Sequence, residues 1–168
     1  MPKRQREEAP SSSDADMGSE TADVHIPEQP PYRPPSEAQS MLVRVTRGCS
    51  WNRCTFCGMY KSLTFEARPV EEIEKDLIGL RRFYPQARSI FLADSDSLTH
   101  PDLLAVVRSI KQTFPETDRI TSYSRLTTLR KLDPGHLRAL REAGLTRIHA
   151  GLESGSMKVL ARVRKGLR

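Results

Sequence analysis

Arg88-Ser-Ile-Phe-Leu-Ala93, then Leu103, Val107, Ile110 and Phe114 at helical spacing, then Ile120-Thr-Ser-Tyr-Ser124: residues 88–124 decide the fold. The first run has the β-branched and aromatic content of a buried strand. The second puts one apolar stripe on a 3.6-residue period and stops near Pro115, and the third is again strand-like. Outward toward the amino terminus, Met41-Leu-Val-Arg-Val-Thr-Arg47 predicts another strand. Pro69-Val-Glu-Glu predicts a helix start, with proline near the first turn and acids where the helix dipole favours them. Ile73, Leu77, Leu80 and Tyr84 mark its apolar face. Toward the carboxyl terminus, Asp133-Pro134 supplies an N-cap and an N1 proline, Leu137 and Leu140 the stripe, and Gly144 the stop. Thr146-Arg-Ile-His-Ala150 is the fourth strand, and a fourth helix begins around Ser156. Such alternation argues for parallel strands joined by helical crossovers, as part of a β/α barrel or an open doubly wound sheet. Both place functional residues at the carboxyl ends of the strands.

Composition narrows the class. Hydrophobic residues are 37% and charged residues 29% of the 168, enough for one modest core. The longest uninterrupted apolar run is the five residues from Leu103 to Val107, whereas a spanning helix needs about 20. No apolar segment follows the basic amino terminus, so no secretory signal is read and the cytoplasm is the expected location. Residues 1–40 carry four Lys/Arg against eight Asp/Glu, a net of −4; the whole chain's +6 therefore leaves +10 for residues 41–168. Seven of the twelve prolines also fall in those first 40 residues. Residues 1–38 are expected to be a disordered Pro/Ser/acid-rich leader, and 39–168 the folded core. The positive charge of the core admits a nucleic-acid partner, but basic residues scattered over helix faces are first read as a solvated surface.

All three cysteines lie in the segment after the first strand, Arg47-Gly-Cys49-Ser-Trp-Asn-Arg-Cys54-Thr-Phe-Cys57-Gly-Met-Tyr60, spaced C-x4-C-x2-C. An odd number so tightly grouped argues against a disulfide scaffold and for a soft metal or an iron–sulfur cluster. A structural zinc site wants four ligands, and His25, His100, His136 and His149 have no zinc-finger spacing. A plant-type [2Fe–2S] centre needs a fourth cysteine. Three thiolates on a [4Fe–4S] cluster with one open iron use every cysteine and need no missing ligand.

With that loop, the sequence resembles the radical S-adenosylmethionine (radical SAM) superfamily over about residues 41–168. Phe56 just before the last cysteine, Gly151-Leu-Glu153-Ser-Gly-Ser156 after the fourth strand, and Lys165-Gly166 carry the rest of the resemblance. Two features depart from the family pattern. The usual cysteine spacing is C-x3-C-x2-C, and Asp94-Ser95-Asp96 stands where members often carry Gly-Gly-Glu. The resemblance implies a partial (β/α) barrel and a [4Fe–4S] cluster on Cys49, Cys54 and Cys57. It implies reductive cleavage of S-adenosylmethionine to a 5′-deoxyadenosyl radical, hydrogen abstraction from an unknown substrate, and a low-potential electron donor of the flavodoxin or ferredoxin type. Such cores usually have six βα units, so a chain stopping in the fourth is expected to be truncated or partial.

The resemblance also implies cofactor contacts at the other strand ends. Phe56 flanks the cluster. Asp94, Ser95 and Asp96 accept from the cofactor's ammonium or are turn and cap residues. Ser124 and Arg125 meet its carboxylate, or Arg125 is a surface arginine. Glu153 and Ser154 contact ribose hydroxyls or cap the next helix. The alternative from another class is a non-catalytic iron–sulfur or zinc module, or an inactive fragment of a longer enzyme.

Overall fold

The computed structural model of the protein describes Glu28 and residues 32–167. Four parallel strands form one sheet in the order β1 (Met41–Arg44), β4 (Ser89–Ala93), β5 (Arg119–Ser124), β6 (Leu145–Ala150). Met41 is level with Ile90, Ile90 with Ile120, and Ile120 with Leu145, so the four strands begin together. Their order in the sheet is their order in the chain, as successive βα units dictate. The α/β parallel sheet expected from residues 88–124 and their flanks is the observed architecture, open and of the partial-barrel kind.

The crossover helices are α1 (Val70–Phe83), α2 (Leu103–Thr113) and α4 (Pro134–Ala143). They share one face of the sheet, α1 against α2 and α2 against α4. The apolar stripes explain why. Ile73, Leu77, Leu80, Leu103, Val107, Ile110, Phe114 and Leu140 are buried against Met41, Val43, Ile90, Leu92, Ile120 and Leu145. A Leu77→Ala change in such a core costs about 2–5 kcal/mol. Glu71 and Glu72 in the first turn of α1 and Arg81 and Arg82 in its last follow the helix dipole. Asp133 caps α4 by accepting from the His136 amide at 2.8 Å, and Gly144 ends that helix at φ 122°. Tyr84 differs from its expected place: it lies past the end of α1 and is exposed, because the helix closes at Phe83.

Three features were not expected. The run Met41–Arg47 divides, its last two residues (β2, Thr46–Arg47) leaving the sheet to pair antiparallel with β3 (Glu66–Ala67). A short helix, α3 (Leu126–Leu129), follows β5, and α5 (Met157–Arg162) is only six residues long.

The third concerns the amino-terminal boundary, which moves back from 38. A 3₁₀ turn at Pro35–Glu37 lays Glu37 fully buried on the sheet's inner side, away from the helices. There Glu37 accepts from Ser40 Oγ at 2.6 Å and meets Arg119 at 3.3 Å and His149 at 3.2 Å. Burial alone would raise its carboxyl pKa, but those hydrogen bonds and the Arg119 charge bring it below the ordinary value. Tyr32 meets Tyr60 edge-on at 5.8 Å, and Glu28 pairs with Arg44 and Arg47. The Arg47 guanidinium is the main reason the Glu28 pKa falls to about 2. The remainder of the expected leader, residues 1–27 and 29–31, lies outside the described residues.

Candidate functional site

The cysteine loop leaves the β1–β2 run at Gly48, whose φ of +80° is the left-handed conformation glycine adopts without strain. Asn52, also left-handed at φ 47°, staples the loop from within. Its Nδ2 donates to Tyr60 O at 2.6 Å, and Lys61 Nζ donates to Asn52 O at 2.7 Å. The Asn52 amide donates to Cys49 Sγ at 3.4 Å. No disulfide forms, and all three thiols are half-buried.

The three thiols line one cavity of about 260 Å³. The ends of the other sheet strands reach the same space: Ser95 after β4, Tyr123, Ser124 and Arg125 at β5, and Gly151 and Glu153 after β6. Lys165, beyond α5, completes it. Burial pushes the Cys54 thiol pKa up, and the neighbouring Cys49 and Cys57 add to this; Lys165 and Arg125 act in the opposite sense. The cavity therefore combines three soft donors with two cations able to offset negative charge. Among the described residues, no group of three or more His, Cys, Asp or Glu side chains is arranged to hold a single metal ion.

Of the cofactor contacts expected from sequence, Phe56, Ser95, Ser124, Arg125 and Glu153 line this cavity. Asp94, Asp96 and Ser154 do not, and each has a physical reason. Asp94 is fully buried; it accepts from the Gly48 amide at 2.8 Å and from Arg44 Nε at 3.3 Å, and it pairs with that guanidinium. Asp96 is equally buried and accepts from four donors: Ser50 Oγ at 2.6 Å, Thr128 Oγ1 at 2.8 Å, the Arg125 amide at 3.0 Å and Ser124 Oγ at 3.1 Å. Both carboxylates are committed to donors in other segments of the protein. Ser154 Oγ accepts from the Ser156 amide at 3.1 Å, a local turn bond just before α5.

Glu153 does not cap. At φ 66° it turns its carboxylate onto Lys165 Nζ at 2.8 Å. A Cβ at Gly151 would stand 2.4 Å from Glu153 Oε1, so that glycine makes the pair possible. Arg125 is half-buried rather than a free surface arginine, its guanidinium 5.0 Å from the centre of the Trp51 ring.

Sequence reading assigned no site role to Trp51 or Lys165. Trp51 joins the loop to the chain after α5: its Nε1 donates to Arg164 O at 2.7 Å, and the Thr55 amide donates to Val163 O at 3.0 Å. A Cβ at Gly166 would fall 2.7 Å from the indole. The available signal was an unexplained tryptophan between two cysteines and the Lys165-Gly166 pair after the fourth helix.

A family model described as the radical SAM superfamily matches residues 43–168, which is 126 of the 168. A search of curated proteins returned no significant match.

Proposed function

The chain belongs to the radical SAM superfamily, and on that premise we propose that Cys49, Cys54 and Cys57 hold a [4Fe–4S] cluster to which S-adenosylmethionine binds. The observation that carries this reading is the convergence of all three thiols with the carboxyl ends of β4, β5 and β6 on one cavity. The residues present suit the group: three free thiols line one space, beside the cations Lys165 and Arg125. Held by these thiols, such a cluster would supply the electron for reductive cleavage of S-adenosylmethionine, the source of hydrogen-atom abstraction from a substrate.

The chain's own residues position and shield. The Asn52 amide donates to the Cys49 sulfur, an interaction of the kind that tunes a sulfur ligand. Phe56 and Tyr60 supply apolar wall, and burial pushes the Tyr60 hydroxyl pKa well above its ordinary value, keeping it neutral. Ser95 and Ser124 offer hydroxyls, Arg125 a guanidinium for a carboxylate, and Glu153 an acceptor for ribose hydroxyls. With Asp94 and Asp96 committed elsewhere, the turn after β4 contributes only Ser95, whose Oγ also donates to Gly48 O at 3.1 Å.

The test is anaerobic: reconstituted protein is reduced in the presence of S-adenosylmethionine and assayed for 5′-deoxyadenosine. Formation of 5′-deoxyadenosine dependent on all three cysteines is the expected result. A chain that purifies with one zinc and no labile sulfide overturns it in favour of a metal-binding module.

A further inference from the structure

Two successive carbonyls of the chain after α5 hold the two intervals of the cysteine motif. Trp51, between Cys49 and Cys54, donates from Nε1 to Arg164 O at 2.7 Å. The amide of Thr55, between Cys54 and Cys57, donates to Val163 O at 3.0 Å. The interval that carries Trp51 is the one with a residue more than the usual family spacing. Arg164 and Gly166 both have left-handed backbone, at φ 53° and 79°, on either side of Lys165. Gly166 runs so close to the indole that a Cβ there would lie 2.7 Å from the ring and 3.1 Å from the Arg125 guanidinium. Between these fixed points the Lys165 amide donates to Leu160 O at 2.9 Å, and its side chain lines the thiol cavity. That side chain is 14% exposed, against 39% for its partner Glu153. Among the described residues, Arg125, Glu153 and Lys165 alone bring formally charged groups other than the thiols to the cavity wall.

We propose that Lys165 sets the reduction potential of the cluster, and that Trp51 positions it through a clasp formed by residues 163–166. This reading rests on the cluster proposed above. A cluster that takes up one electron gains one negative charge, so a fixed cation in the same sheltered space favours the reduced form. Glu153 acts in the opposite sense, and its 2.8 Å pair with Lys165 makes the two offset each other in part. The balance depends on where the ammonium is held, because Coulomb energy falls with distance. Trp51 fixes that place from both sides. Its Nε1 holds the carbonyl just before Lys165, and its ring packs against Gly166 just after it. The same ring holds the second cation of the wall, with the Arg125 guanidinium 5.0 Å from its centre. One side chain between two proposed ligands thus places both positive charges of the cavity.

The experiment is an anaerobic redox titration of the reconstituted full chain with dithionite, without S-adenosylmethionine, followed by the electron paramagnetic resonance signal of the reduced cluster. Lys165→Met leaves Glu153 uncompensated beside the thiols. It should lower the ratio of reduced to oxidised cluster at a fixed solution potential about tenfold, or about 59 mV for a one-electron couple. Glu153→Ala should move the potential the opposite way, and Lys165→Arg should restore it nearly to the unaltered value. Trp51→Phe and Gly166→Ala keep both charges and disturb only the clasp. Each should shift the potential in the direction of Lys165→Met by a smaller amount, and each should release iron to a chelator about two- to tenfold faster, the effect of one lost neutral hydrogen bond. Urea unfolding reads any general loss of stability separately. A potential that Lys165→Met leaves unchanged or raises overturns the proposal. Potentials and iron release equal to those of the unaltered protein in both Trp51→Phe and Gly166→Ala overturn the clasp. An unaltered chain that takes up no iron and sulfide overturns the cluster itself.

Discussion

Two loops leave neighbouring strands at the same end of the sheet, and they divide the work unequally. The cysteine loop after β1 exposes its reactive atoms: three thiols face a cavity and none is consumed by a protein partner other than the weak Asn52 contact. The acidic turn after β4 buries both of its carboxylates. Asp94 grips the cysteine loop at Gly48, Ser95 at the Gly48 carbonyl, and Asp96 at Ser50, while Asp96 also ties in β5 and α3. One loop presents its thiols, and the other holds that loop in place. A buried carboxylate with four donors is bound too firmly to turn toward a ligand, because each donor left behind would cost about 1–3 kcal/mol.

The sharpest way to break this division is to remove the thiols. Replacing Cys49, Cys54 or Cys57 by Ala should abolish uptake of about four irons per chain and leave the fold intact. The thiols are half-buried and belong to no core cluster, and circular dichroism beside iron analysis checks both halves of that expectation. Asp96→Ala should do the reverse. It strands Ser50, Ser124, Thr128 and the Arg125 amide, and should cost about 3–5 kcal/mol in urea unfolding, with cluster loss following from instability. A stable Asp96→Ala protein that merely binds S-adenosylmethionine less well would return Asp96 to the cavity.

The difference between the loops also explains what was legible in the sequence. The βα alternation was readable because each strand and stripe is local, and Ile73, Leu77, Val107 and Leu140 fell where periodicity put them. The cysteine loop was readable because soft donors in one short segment have few other uses. Asp94 and Asp96 were ambiguous because an acid at a strand end is equally suited to a ligand and to a turn. Their donors, at Gly48, Ser50 and Thr128, lie dozens of residues away. Glu37 was hidden for the same reason. Its partners Arg119 and His149 are 82 and 112 residues distant, and its neighbours have the composition of a linker.

Glu153 tests the reactive side more finely. Glu153→Ala should lower S-adenosylmethionine affinity by about one to two orders of magnitude, the loss of a charged hydrogen bond worth roughly 1.5–3 kcal/mol. Stability should change little, because Glu153 is exposed and ion pairs at the surface contribute about 0–1 kcal/mol.

Glu37 tests the framework side, with the smallest effect. Glu37→Gln should cost about 1–2 kcal/mol at neutral pH. Because the folded pKa lies below the ordinary 4.5, the charged form stabilises the fold above that pH, and the contribution is lost as pH falls through the folded value. The variant should therefore show a flatter loss of stability below pH 4.5 than the unaltered protein. Equal acid profiles would mean that the Pro35–Glu37 turn is not part of the fold's framework.

The most direct measurement of the central claim is electron paramagnetic resonance of the reduced, reconstituted protein with and without S-adenosylmethionine. The thiols and the strand ends share one cavity, so the cofactor should perturb the signal of a cluster bound by Cys49, Cys54 and Cys57. A reduced-cluster signal identical with and without the cofactor would contradict a shared site.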